Sequence, residues 1–128
     1  MEYHISKTVT GNFDEIISKV KDELKKEGFG VLTEIDIKTT LKNKLDVDFR
    51  KYTILGACNP GYAHSALLAE DKVGTMLPCN VIVQEIGEGK VEVAAVNPKA
   101  SMMAIKNAQL EQLASDVTKK LKNVVDGI

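Results

Sequence analysis

The sequence lacks tryptophan, has only two cysteines and three prolines among 128 residues, and contains no long uninterrupted apolar run. No stretch approaches the roughly 20 apolar residues that a transmembrane helix needs, so we expect no membrane insertion. Positive and negative charges nearly cancel, with 17 Lys and Arg against 18 Asp and Glu. This balance gives no overall attraction to phosphate, and nucleic acid or an anionic membrane is therefore not expected as a partner.

The composition is that of an ordinary globular protein, with 44% hydrophobic and 27% charged residues. A chain of this length can bury about two-thirds of its unfolded surface, and we predict a single domain over residues 1–128. The N-terminal segment has no basic start followed by an apolar core, which predicts a cytoplasmic protein. In that compartment the two cysteines are expected to be free thiols.

Hydrophobic periodicity predicts five strands and four helices. Alternating or β-branched segments predict strands over Tyr3–Val9, Phe29–Ile35, Tyr52–Cys58, Cys79–Ile86 and Val91–Val96. Apolar residues spaced by three and four predict helices from Asn12 to Gly28, Asp36 to Leu45, Pro60 to about Glu70 and, as one long helix, Ala100 to Asp126. This order favours an α+β fold in which helices pack in two layers with a mainly antiparallel five-stranded sheet.

The stretch from Tyr52 to Val83 contains both cysteines, each followed by an asparagine: Cys58-Asn59 at the end of one predicted strand and Cys79-Asn80 at the start of the next. If the second to fifth strands form a meander, these two strands are antiparallel neighbours and the cysteines meet at one edge of the sheet. A right-handed parallel crossover would instead separate them by a strand length. The site hypothesis depends on this choice.

Two thiols at one sheet edge suggest three kinds of chemistry: a soft metal site, a redox disulfide or a nucleophile. His64, six residues after Cys58, is a candidate third ligand for a zinc or copper ion held by Cys58, His64 and Cys79, or a candidate base for a thiol nucleophile. The alternative is that the cysteines are packed in the core, because free cysteine behaves as a small hydrophobe. Neither spacing forms a Cys-x-x-Cys motif.

Three further residues near the cysteines are candidates for binding a small molecule. Asn59 and Asn80 offer amide groups at the strand ends, and Tyr62 offers an aromatic wall. Each also has a structural explanation, since asparagine commonly bonds neighbouring backbone in turns. No phosphate-binding glycine motif is present, and adjacent His64 and Ser65 point apart on a helix, so no catalytic triad is assembled.

The same stretch resembles the signature of the domain-of-unknown-function 302 family of small bacterial and archaeal proteins. The matching residues are Tyr52, Gly56, Ala57, Cys58, Asn59, Pro60, Ala63 and the run Leu77–Val83. The resemblance covers nearly the whole chain. It implies a curved antiparallel sheet packed by helices, and it implies no established activity.

Three hypotheses of different classes follow. The first is small-ligand binding or sensing in a cleft at the sheet edge, formed by Cys58, Asn59, Tyr62, His64, Cys79 and Asn80. The second is a thiol-dependent enzyme or a redox or metal site that uses Cys58, Cys79 and His64. The third is a structural module that acts through oligomerisation. A homodimer is compatible with all three.

Overall fold

The sheet is a four-stranded meander with the N-terminal strand added at one edge. The computed structural model describes residues 1–128. Every neighbouring pair is antiparallel, and the strand order is β1-β5-β4-β3-β2. The strands are β1 (His4–Thr10), β2 (Gly30–Asp36), β3 (Tyr52–Cys58), β4 (Cys79–Gly87) and β5 (Lys90–Val96). The predicted α+β class and the meander are confirmed.

Five helices accompany the sheet, together with a 3₁₀ helix over Asp71–Met76. They are α1 (Phe13–Lys26), α2 (Ile37–Leu45), α3 (Pro60–Ala69), α4 (Pro98–Ser101) and α5 (Ala108–Asp126). No helix combines the length and the apolar character needed to cross a membrane. Local capping explains the first helix: the Asn12 side chain accepts a hydrogen bond from the Glu15 backbone N–H at 3.1 Å. The helix stops before Gly28, whose φ of 85° suits glycine.

The single long C-terminal helix predicted from Ala100 to Asp126 is wrong. The chain forms the short helix α4, leaves helical geometry after Ser101, and begins α5 at Ala108. Asn107 causes the new start, because its side-chain oxygen accepts from the backbone N–H groups of Gln109 and Leu110. The Asn107 amide also donates to the Ala69 carbonyl at 2.8 Å, which ties the start of α5 to the end of α3.

The main core lies between one face of the sheet and the helices α1 and α5. We use "main core" for its 18 buried residues. Inward-facing strand residues such as Leu55, Val81 and Val93 are fully buried. They pack with the apolar stripes of the two helices, which include Val20, Leu24, Leu121 and Val124. Burial of this apolar face is the main stabilisation of the fold.

A second, smaller group of buried residues lies beside the main core. This "satellite cluster" consists of Ala66, Val73, Met102, Leu110 and Ala114. It joins α3, the 3₁₀ helix, the segment after α4 and the first half of α5. The chain passes between the sheet and these elements three times, at Asn59-Pro60, Leu77-Pro78 and Asn97-Pro98, so the three prolines of the sequence mark the three crossings.

Candidate functional site

The two cysteines lie at the same end of the sheet. Cys58 is the last residue of β3 and Cys79 is the first residue of β4. In the antiparallel register Cys79 stands opposite Ala57, so Cys58 is one residue beyond that pair. The antiparallel pairing on which the predicted convergence of the two cysteines depends is therefore present. Both thiols are free, with Cys79 buried and Cys58 partly exposed.

A cavity of about 320 Å³ opens at this end of the sheet, between the main core and the satellite cluster. It is lined by 18 residues, 15 of them hydrophobic, and none carries a charge. Main-core residues Phe29, Ala57 and Cys79 form part of the lining, and satellite residues such as Met102 and Leu110 form another part. The cavity is thus the gap that remains where two apolar clusters meet.

Helical spacing explains two of its walls. In α3 and its cap the lining residues are Asn59, Tyr62, Ala63, Ala66 and Leu67. In α5 they are Leu110, Leu113, Ala114 and Val117. Both sets follow the three- and four-residue spacing of a single helix face. Each of the two helices therefore presents one mainly apolar stripe to the cavity.

The third wall of the cavity includes Leu32, which lies at an irregularity in the pairing of β2 with β3. The β2–β3 register shifts between Val31 and Thr33, which leaves Leu32 outside the regular pairing. Leu32 is 67% exposed and still lines the cavity, and Leu67 of α3 is 43% exposed. Bulges commonly redirect a side chain in this way. The two leucines lie where the cavity opens to solvent.

Four of the six predicted site residues line this cavity: Cys58, Asn59, Tyr62 and Cys79. His64 does not line it, because it lies on the opposite face of α3 and is exposed. Asn80 does not line it either; it is exposed and pairs with Gly56 in the sheet. The structure thus brings the thiols, one amide and one aromatic ring together without the histidine.

Asn59 has a structural contact in addition to its place in the lining. It precedes α3 but makes no side-chain capping bond to that helix. Instead its Nδ2 donates to the Glu27 carbonyl at 3.2 Å, which connects the start of α3 to the end of α1. The nearby Gly28 leaves room for this contact, since a Cβ there would lie 3.1 Å from Asn59 Nδ2.

Burial determines the protonation of the Cys79 thiol. The pKa of Cys79 is raised from 9.0 to about 11, mainly because burial disfavours the charged thiolate and to a smaller extent because Cys58 lies nearby. The Cys79 thiol is therefore protonated at neutral pH, and a protonated thiol is a poor nucleophile and metal ligand.

The three predicted metal ligands do not form a common site. No group of three or more His, Cys, Asp or Glu side chains is arranged to hold a metal ion. His64 faces away from the cavity, so it does not converge with Cys58 and Cys79. The zinc or copper site at these three residues stays a prediction.

Several lining residues were not predicted as site candidates, notably Leu32, Leu110 and Leu113. The apolar stripe of α5 was visible in the sequence, but a stripe has the same spacing whether it faces a neighbouring layer or a cavity. Gly30 lies two residues before the bulge at Leu32 and Gly56 pairs with Thr33 beside it, but glycine alone does not specify which side chain the bulge redirects. Only the tertiary packing of the sheet end with α3 and α5 identifies these residues as lining.

Comparison with known proteins connects this architecture to a family. The model of the family described as "Domain of unknown function DUF302" matches residues 5–128. A crystal structure of an uncharacterized conserved DUF302 protein from Bacillus stearothermophilus superimposes with a TM-score of 0.91 at 29% identity, covering 99% of this chain and 98% of that one. No curated protein matches. The family resemblance read from the Tyr52–Val83 stretch is confirmed, and the chain belongs to the DUF302 family.

Proposed function

We propose that the protein binds a neutral, predominantly apolar small molecule in the cavity between α3, α5 and the end of the sheet. The observation that carries this proposal is the lining itself, with 15 hydrophobic residues out of 18 around about 320 Å³. Small-molecule sites are typically concave, mostly apolar clefts of roughly 300–1,000 Å³. The cavity falls at the lower end of that range and suits a compact ligand.

The charge of the ligand follows from the absence of charge in the lining. An ion moved from water into an apolar site without a partner loses its hydration and gains nothing comparable in return. No lysine, arginine, aspartate or glutamate lines this cavity. A neutral molecule is therefore favoured over a phosphate, carboxylate or ammonium compound of the same size.

A fluorescent probe tests the proposal directly. N-phenyl-1-naphthylamine is neutral and brightens when it leaves water for an apolar site. We expect saturable binding at micromolar concentrations, with weaker binding of the anionic 1-anilinonaphthalene-8-sulfonate. The probe should bind with a one-to-one stoichiometry, since the site is a single cavity.

A matched pair of variants assigns the signal to this cavity. Ala63→Phe adds a ring to the α3 wall, whereas Ala108→Phe adds the same ring to an exposed position of α5 outside the lining. We expect the first variant to lose probe binding by at least about tenfold, or about 1.4 kcal/mol, and the second to bind as the wild type does. Circular dichroism confirms that both are folded. Equal binding by the two variants, or no saturable binding by the wild type, would refute the proposal.

The other two hypotheses receive less support. A thiol enzyme with His64 as its base lacks that base at the cavity, and the thiol of Cys79 is protonated at neutral pH because burial raises its pKa. The homodimer stays a prediction, and sedimentation equilibrium would test it by measuring the mass of the protein in solution. It is compatible with a ligand site, since the cavity is built entirely from one chain.

A further inference from the structure

The cavity contains two side chains with strong nucleophilic potential among its apolar neighbours. The lining residues that carry heteroatoms in their side chains are Cys58, Asn59, Tyr62, Cys79 and Met102. The amide of Asn59 is already bonded to the Glu27 carbonyl. Sulfur is the softest donor in this set, and thiols are intrinsically far better nucleophiles than the other groups.

The two thiols differ in their access to solvent. Cys79 is only 8% exposed, and burial in the apolar site keeps its proton on the sulfur. Cys58, at the end of β3, is partly exposed and lines the same cavity. Cys58 is therefore the thiol that both contacts solvent and faces a molecule held in the cavity.

We propose that Cys58 is a covalent modification site for a neutral, apolar soft electrophile, such as an enone or a quinone, bound in the cavity; this inference rests on the proposed function. The Cys58 thiol releases its proton to solvent, and the thiolate adds to the β-carbon of the activated double bond. A carbon–sulfur bond forms, the carbon–carbon π bond breaks, and its electron pair takes a proton from solvent at the α-carbon. No oxidant or reductant is required.

Binding before reaction provides the selectivity. A molecule held beside the sulfur reacts at a high effective concentration, and correct placement alone is known to accelerate such steps by large factors. The uncharged lining holds apolar electrophiles and excludes charged ones. The reactive thiol would thus distinguish electrophiles by polarity and not by intrinsic reactivity alone.

Two maleimides of similar reactivity test this inference. N-phenylmaleimide is neutral and apolar, whereas N-(carboxyethyl)maleimide carries a carboxylate. The rate ratio of the two reagents is measured at neutral pH for the protein and for N-acetylcysteine, and the modified residue is located by peptide mass mapping. We expect a ratio at least about tenfold higher for the protein than for N-acetylcysteine, with the adduct on Cys58 and no reaction in Cys58→Ser.

The cavity variants provide the control. Ala63→Phe should bring the rate ratio down to that of N-acetylcysteine, and Ala108→Phe should keep the wild-type ratio. A wild-type ratio equal to that of N-acetylcysteine, or an adduct on Cys79, would overturn the inference. If N-phenyl-1-naphthylamine binds normally in that case, only the covalent step fails. If the probe does not bind either, the proposed function fails as well.

Discussion

The main core and the satellite cluster are built from the same kinds of residue but are packed to different degrees. The main core joins 18 buried residues from the sheet and two long helices. The satellite cluster has only five buried residues, and four of them line the cavity of about 320 Å³, whereas only four of the 18 main-core residues do so. In this fold, space remains where the short helix α3 meets the end of the sheet, whereas the residues between the sheet and the helices α1 and α5 pack closely.

The helix α5 contributes residues to both regions, so the cost of the same substitution in each region can be measured. Leu121 is fully buried in the main core, and Leu110 is 1% exposed in the satellite cluster, where it also lines the cavity. We expect Leu121→Ala to cost about 4 kcal/mol of unfolding free energy and Leu110→Ala about 2 kcal/mol, within the usual range for leucine truncation. Leu110 loses fewer contacts because part of its surface faces empty space.

Urea denaturation of both variants measures these two costs. The residues share one helix and one substitution, so helix propensity affects both equally. Equal losses of stability would mean that the satellite cluster is packed as tightly as the main core. The distinction drawn between the two regions would then be wrong.

The pH dependence of the unfolding free energy reports on Cys79, a main-core residue that also lines the cavity. Its folded-state pKa is raised from 9.0 to about 11 by burial, so the folded protein holds the proton more tightly than the unfolded chain does. Above pH 9 the unfolded chain begins to lose this proton while the folded protein keeps it. The associated stability, up to about 3 kcal/mol, is present below pH 9 and is lost as pH rises toward 11.

The measurement compares wild type with Cys79→Ala by urea denaturation between pH 8 and pH 11. Lysine and tyrosine titrate in both proteins, so only the difference in slope reports on the thiol. The wild type should lose more stability across this interval than the variant. Parallel curves would show that water enters the cavity and solvates Cys79.

The smallest expected effect is on the hydrogen bond that connects the start of α3 to the end of α1. Asn59→Ala removes the hydrogen bond from Asn59 Nδ2 to the Glu27 carbonyl. We expect a loss of about 1 kcal/mol in unfolding free energy, the usual contribution of one such bond. Asn43→Ala serves as the control, because Asn43 is an exposed residue of α2.

Hydrogen exchange adds a local measurement to this last comparison. The amides of α3 should exchange faster in Asn59→Ala, because the helix start is no longer tied to the end of α1. Amides of β4 and β5 should be unaffected. A uniform change across all elements would indicate a global loss of stability and no specific connection at Asn59.

Elements with strong local signals were predicted closely. The strand Tyr52–Cys58 was predicted with its exact bounds, and the helix predicted from Asn12 to Gly28 is α1, which is capped by Asn12 and ends before Gly28. These features depend on residues within one turn or one strand. The break between α4 and α5 was missed, because Asn107 begins a helix inside a stretch whose apolar spacing continues on both sides.

The candidate site was predicted only in part, for a geometric reason. The convergence of Cys58 and Cys79 was predicted on the condition that β3 and β4 are antiparallel neighbours. In the structure these two strands do pair in this way. The inclusion of His64 was made from its distance along the chain. On a helix, however, a residue next to Ala63 points to another side, and His64 consequently lies outside the cavity.

Sequence patterns were sufficient for most of the secondary structure, the α+β class and the family, because each depends on local periodicity or on a contiguous motif. Tertiary structure alone decided that the helix faces of α3 and α5 enclose a cavity, and that Leu32 lies at its opening. Apolar spacing specifies which face of a helix is buried but not how completely its neighbours fill the space. That filling depends on the volumes and angles of several elements at once.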